Sequence, residues 1–519
     1  MSIKILYGPS GHGKTEYVYS DIVKEACANP DKKYVFIVPE QSSLQAQKRV
    51  VRMHPSHGVF NIDVLTFGRL CYRVFEELQI ELKETIDDTG KNLIVRKILN
   101  NIKSDFRIIK AGRRQGFVSE MKSMISELKQ YGITPDMLKE IAVSAGSDRL
   151  RDKLEDISLI YSEFENYIRD RFVTVEDKPE LLYRFIDNSD LLKGSTVVFD
   201  GFTGFTPVQY RLIEKIALQA ENIIVTVTIS SPAINNINTD MGMDELFYMS
   251  KDMIRKLGVI ADNVRIPFLM QRIESDHSKY RFRNSPALNF LEENIFRYNG
   301  STFGGNTEDI HISEHLNGKE EIQYAAAAIL KEVRTHGYRF NDIGVILGDK
   351  DNFANETARI FKESGIPFFM DNKRSLIGNP MVEYIRGIIA LIKERFSYEA
   401  VFRVLKNGLC GFERDKVNIF EDYILAFGIS GFDRYCEKFV RAYKSKEMGL
   451  DVINEVREDF CCLISEFYSD MTKGTKASDY VNAVYDFMEK ENLYEEMEML
   501  ADNTEDEDKA EEFRKSYGH

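Results

Sequence analysis

The residues best equipped for chemistry lie near the amino terminus, where Gly8-Pro9-Ser10-Gly11-His12-Gly13-Lys14-Thr15 satisfies the pattern G-x-x-x-x-G-K-[ST]. In such an octet the backbone N–H groups cradle phosphates at the start of a helix, the lysine reaches the β- and γ-phosphates, and the threonine hydroxyl ligates Mg2+. A chance glycine-rich turn would show the same letters, but this octet stands between the apolar run IKILYG and an amphipathic stretch. Gly8, Gly11, His12, Gly13, Lys14 and Thr15 are therefore expected to bind ATP with Mg2+.

Phosphoryl transfer asks for more: an acid to hold the metal, a group to position water, and a cation against the developing charge. Asp200, closing the apolar run TVVFD, is the candidate acid; it would hold the metal with Thr15 and makes the expected catalytic pair with Lys14. Next comes Gly201, where a motor ATPase usually carries a glutamate to orient water. Nothing in GFTGFTPVQ replaces that carboxylate, although Gln209 could touch a γ-phosphate. The site reads as one that binds nucleotide better than it turns it over.

A scaffold that presents these residues is legible in five β-branched runs, at residues 3–8, 33–39, 61–67, 195–202 and 222–230. They are apolar nearly throughout, as strands buried on both faces are, and helical patterns separate them, which implies an α/β fold with a parallel sheet. About 120 residues without strand signal follow the third run and read as a helical insertion. Further strand-like runs at 309–316, 342–348 and 366–371 imply a second α/β domain, and from about 395 the pattern is helical again. The last residues keep helical composition with no stop signal but Gly518, so the chain is expected to break off within a domain.

A chain of 519 residues exceeds the size of a single core. It carries no stretch of about 18 apolar residues and no secretory leader pattern, so a cytoplasmic protein with no membrane association is expected. The six cysteines show no C-x-x-C spacing and read as idle or buried thiols. A net charge of -14 argues against indiscriminate coating of nucleic acid, though not against a local basic channel. With no tryptophan, any base stacking falls to Phe, Tyr, His and Arg.

Beyond the octet, the segments FIVPEQSSLQAQKRV (36–50), DVLTFGRLCYRV (63–74), ISELKQYGITPDML (125–138), VVFDGFTGFTPVQ (197–209) and the long stretch 344–389 resemble the AddB family, B subunits of bacterial AddAB helicase-nucleases that process double-strand DNA breaks for recombination. The resemblance covers most of the chain and implies a superfamily 1, UvrD-like arrangement. On that pattern 1–80 and 195–304 form domain 1A, 81–194 the helical 1B insertion, 305–394 the first part of domain 2A, and 395–519 a truncated helical 2B insertion. It further implies an AddA motor subunit as partner in a heterodimer, double-stranded DNA ends and single-stranded DNA as ligands, and recognition of the Chi hotspot. A RecB-like nuclease domain with a 4Fe-4S cluster would follow beyond His519.

The family resembles helicases that have ceased to translocate. Consistent with that, no glutamine-containing segment precedes the first strand to read adenine, Gly201 replaces the glutamate, and Gly348 falls about where UvrD-like motors carry a phosphate-sensing arginine. By motif position the resemblance assigns Gln41 and Ser43 to hydrogen bonds with bases or phosphates, Phe67 and Tyr72 to stacking, and Arg69 to a base edge or phosphate, with Phe202 or Phe205 stacking from a neighbouring loop. Where the family varies, at Ser43 and Tyr72, a site tuned to a different Chi sequence is possible.

Blander readings stand beside these. Phe67 and Tyr72 suit a core equally well; Lys48, Arg49 and Arg52 suit a solvated helix face, and the cluster KAGRRQG (110–116) is similarly ambiguous. His54 and His57 suit a loop better than a zinc site. The competing functions are an active UvrD-like helicase, disfavoured by Gly201, and a small-metabolite kinase, disfavoured by the second α/β pattern with GIPFFMD.

Overall fold

The computed structural model describes residues 1–58, 60–102, 115–230, 233–234, 237, 242–273, 280–297, 299–370, 376–441, 449–505 and 507–516. They divide into two compact units, Met1–Ser313 and Glu314–His519.

In the first unit, β1 (Ser2–Gly8) leads through the glycine-rich octet into α1 (Lys14–Ala28). Next come β2 (Tyr34–Ile37), α2 (Ser43–Met53), β3 (Ile62–Leu65) and α3 (Phe67–Glu77). The insertion then runs through β4 (Glu84–Ile86), α4 (Asp88–Asn101), α5 (Gln115–Gln130), α6 (Pro135–Val143), α7 (Asp148–Ile168) and β5 (Phe172–Thr174). After it, α8 (Lys178–Phe185) returns the chain to β6 (Thr196–Phe199), α9 (Pro207–Gln219), β7 (Asn222–Thr228), a helix at Tyr248–Val264 and β8 (Phe268–Arg272). The main sheet is parallel throughout, in the order β3-β2-β6-β7-β1-β8.

All five expected strands of this unit form. Every residue of β2 and β6 is buried, which is why those runs are apolar without alternation. β8 went unrecognised in the sequence because it is an edge strand with Leu269 and Met270 exposed. The insertion, expected to lack strands, contains the parallel pair β4 and β5, each too brief to leave a periodic signal. Its helices close on their own apolar core around Val95, Ile160 and Phe164. Residues from α8 to Leu192 pack instead into the core of the main sheet.

The second unit corrects one expectation. None of the described residues in the runs 309–316, 342–348 and 366–371 is in a strand. They lie without ladder partners, and Ile346 and Phe369 are 96% and 92% exposed, while Ile366 is buried against helices Gly318–His336 and Lys350–Glu363. A β pattern needs neighbours before it becomes a sheet, and isolated runs are not stable as strands. From Pro380 onward helices dominate as expected, with Tyr384, Phe420 and Phe460 at the centre of one core.

Candidate functional site

Residues from distant parts of the chain meet at the carboxyl ends of the sheet strands, where ligands of open α/β sheets sit. Gly11 and Gly13 hold φ of 77° and 78°, a left-handed conformation that glycine adopts without the cost a side chain incurs. Gly11 also needs to be small, because an added Cβ would lie 3.0 Å from Arg281 Cβ. Gly13 precedes α1 with no side-chain acceptor, so the first N–H groups of a 15-residue helix are left for an incoming anion.

Lys14 is nine-tenths buried, and its ammonium donates to the carbonyls of Gly8 at 2.9 Å and Pro9 at 2.8 Å. Burial pulls its pKa down to about 8, against the upward pull of the Asp200 carboxylate. Asp200 is itself buried and accepts from Thr226 Oγ1 at 2.6 Å and Thr15 Oγ1 at 3.3 Å. Thr226 lies on β7, between the strand that leads to Asp200 and the strand that leads to Lys14. These groups line a cleft of about 450 Å³ that also includes Arg49 and Arg281. A buried ammonium, an uncapped helix start and a carboxylate beside a threonine hydroxyl fit a nucleotide phosphate with Mg2+: Thr15 and Asp200 as metal ligands, Lys14 for the phosphates.

One expectation shifts. Gln209 does not face the phosphate cleft: its Oε1 accepts from Thr206 N at 2.9 Å while Thr206 Oγ1 accepts from Gln209 N at 3.3 Å, a reciprocal cap on α9. Its side chain lines a different cleft. Lys48, Arg49 and Arg52 are exposed on α2, as on a solvated face, and Arg49 also lies 5.4 Å from the Tyr19 ring at the edge of the phosphate cleft. His12, within the octet, sets its ring 4.6 Å from that of Tyr280.

The cleft that Gln209 lines, of about 580 Å³, is bordered by Phe67, Arg69, Tyr72 and Lys178 among others. Arg69 and Tyr72 also border a third, of about 480 Å³, beside the edge strand β3. Thr66 caps α3 by accepting from Arg69 N at 3.3 Å, and the Arg69 guanidinium itself has no hydrogen bond or ion pair with the described residues. Tyr72 is 45% exposed, so of the two aromatic candidates it is the one available to stack. Phe67 is buried, its ring 6.0 Å from that of Phe199. Phe202 and Phe205, 4.9 Å apart, are partly buried against that same aromatic group. Gln41 is exposed in the turn Glu40–Ser42, and Ser43 opens α2.

His54 and His57 lie just after α2, with His54 Nε2 3.5 Å from Cys27 Sγ. No group of three or more metal-binding side chains occurs among the described residues. Residues 110–114 of the basic cluster lie outside the described residues. Sequence reasoning missed Thr226, Arg281 and Lys178; none carries a local motif, and only the fold brings them to these clefts.

A parallel sheet with a phosphate loop after an interior strand, an acid on a nearby strand end and a helical insertion define a phosphate-loop protein with a helicase-like α/β fold. Residues 5–292 match the family described as ADDB, N-terminal, and the chain belongs to that family. It is 37% identical over its whole length to the B subunit of the ATP-dependent helicase/deoxyribonuclease of Lachnoclostridium phytofermentans, and 33% identical over 96% and 99% of its length to the proteins of the same name from Clostridium tetani and Clostridium kluyveri. The chain spans 46%, 44% and 46% of those relatives, somewhat under half their length. No described helix is long and apolar enough to cross a membrane.

Proposed function

We propose that this chain is the nucleotide-binding, single-strand-reading part of a helicase-nuclease component that processes DNA double-strand breaks for homologous recombination. In this reading it works as an AddB protein next to an AddA motor, in the cytoplasm, on DNA ends and the single strands drawn from them, and reads Chi. The UvrD-like division into 1A, 1B, 2A and 2B belongs to the same proposal, as do the nuclease domain and its 4Fe-4S cluster, carried in family members by sequence beyond His519.

The observation that carries the reading is that one loop serves both clefts. Asp200, Gly201 and Phe202 border the phosphate cleft, and Thr206 and Gln209 border the cleft of Arg69 and Tyr72. Bound nucleotide would be held by the N–H groups of the octet and by Lys14, with Thr15 and Asp200 on Mg2+. Gly201 sits at φ 82°, so the position that would orient water is shaped for glycine, which supports binding with slow turnover. Arg69 supplies a cation that has no ion pair among the described residues for a base edge or phosphate, Tyr72 a stacking face, and Gln41 and Ser43 polar groups at the entrance.

Lys14→Ala is expected to abolish binding of a fluorescent ATP analogue while leaving single-strand binding measurable. Arg69→Ala is expected to do the reverse and, in the complete protein with its motor, to reduce pausing at Chi. Normal pausing by Arg69→Ala would refute the strand-reading assignment. Steady ATP hydrolysis by the chain alone, lost in Asp200→Asn, would favour an active helicase instead.

A further inference from the structure

Lys178, at the start of α8, is 106 positions from Tyr72 in the chain yet donates to its hydroxyl at 2.9 Å. The same ammonium lies 4.6 Å from the centroid of the Tyr72 ring. Lys178 is nine-tenths buried, and among the described residues no carboxylate pairs with it. Two acidic residues share its cleft: Glu176 is committed to Lys91 at 2.8 Å, and Glu40 lies in the turn that precedes α2.

A buried ammonium whose partner is a neutral phenol is poorly compensated. Buried charges are ordinarily paired, and an ammonium has three donors to satisfy. The open side of this arrangement is the 580 Å³ cleft, which Arg69 also lines. Lys178 sits at the hydroxyl end of the Tyr72 ring, and Tyr72, 45% exposed, borders the β3-side cleft as well.

We infer that Lys178 is a phosphate-binding residue for single-stranded DNA, holding the backbone of the nucleotide whose base stacks on the exposed Tyr72 ring. The inference rests on the strand-reading assignment above and adds a residue that assignment does not contain. In the free protein the ammonium is parked on the phenol; a phosphodiester supplies the negative charge the cleft lacks, and Arg69 binds the neighbouring phosphate or base edge.

The test is the salt dependence of single-strand binding by the full chain, read with a fluorescent oligonucleotide. Removing one cation that neutralises a phosphate should reduce the slope of log affinity against log salt by about 0.7. Lys178→Gln is expected to lower the slope by that amount, and Lys178→Arg to retain it. Tyr72→Phe, which removes the hydroxyl and keeps the ring, is expected to leave the slope unchanged. If Lys178→Gln does not fold, Lys178→Met keeps the apolar stem while removing the charge, and the same reduction in slope is expected.

An unchanged slope in a folded charge-removed variant, with an affinity loss that Tyr72→Phe reproduces, would mean that Lys178 only anchors Tyr72, and would overturn the inference while leaving strand reading intact. Absence of single-strand binding by the unmodified chain would remove the strand-reading assignment itself, and this inference with it.

Discussion

Gly201 shows how much one backbone angle can decide. Its φ of 82° lies where an L-residue crowds its own carbonyl, and a Cβ there would meet Pro39 at 3.6 Å, an ordinary contact. The obstacle to a Cβ at this position is therefore conformation rather than space. Gly201→Glu is expected to cost about 1–2 kcal/mol in thermal unfolding and to bring no gain in ATPase; a variant as stable as the parent and newly hydrolytic would contradict this. Lys14 makes the second residue-scale prediction. Its pKa falls from 10.5 unfolded to about 8 folded, so between those values the unfolded chain binds the extra proton. Stability linked to this group therefore rises with pH across that window. Nucleotide binding runs the other way, because phosphates need the charged amine: affinity for ATP should fall as pH climbs through about 8, and calorimetric titration of Lys14→Arg should show no such midpoint.

At the scale of elements, α9 holds the loop that borders both clefts. Leu212, Ile213 and Ile216 are fully buried against the sheet, and the Thr206–Gln209 cap fixes the helix start. Thr206→Ala should cost about 1 kcal/mol of stability by removing the cap; because the freed Gln209 lines the strand cleft, it should also weaken oligonucleotide binding, as a melting curve and a binding isotherm on one sample would show. Elements were the most legible part of the sequence. The interior strands declare themselves because both faces are buried, and the octet because its spacing follows from phosphate geometry. What stayed hidden depended on distance or edge position: β8 is half solvated, β4 and β5 are three residues each, and Lys178 reaches Tyr72 only after the insertion folds back. Gln209 was misplaced because sequence order near Asp200 does not reveal which way a helix start faces.

Across the whole molecule, the residues proposed for nucleotide and for strand all belong to the first unit, which has its own cores. A protein of residues 1–313 is expected to fold cooperatively and to retain ATP binding, checked by circular dichroism and titration. The second unit displays Ile346, Phe369 and Ile377 at 96%, 92% and 78% exposure, and a fragment of residues 314–519 should bind a hydrophobic dye more strongly than the first.

The loop from Asp200 to Thr206 carries one more consequence. If nucleotide and strand bind as proposed, the borders held in common give the two equilibria a means of coupling. Whatever factor by which a nucleotide tightens or loosens the strand must be returned, unchanged, as the factor by which the strand tightens or loosens the nucleotide. Under the slow turnover proposed above, nucleotide occupancy would then act as a timer, recording whether the right bases have arrived.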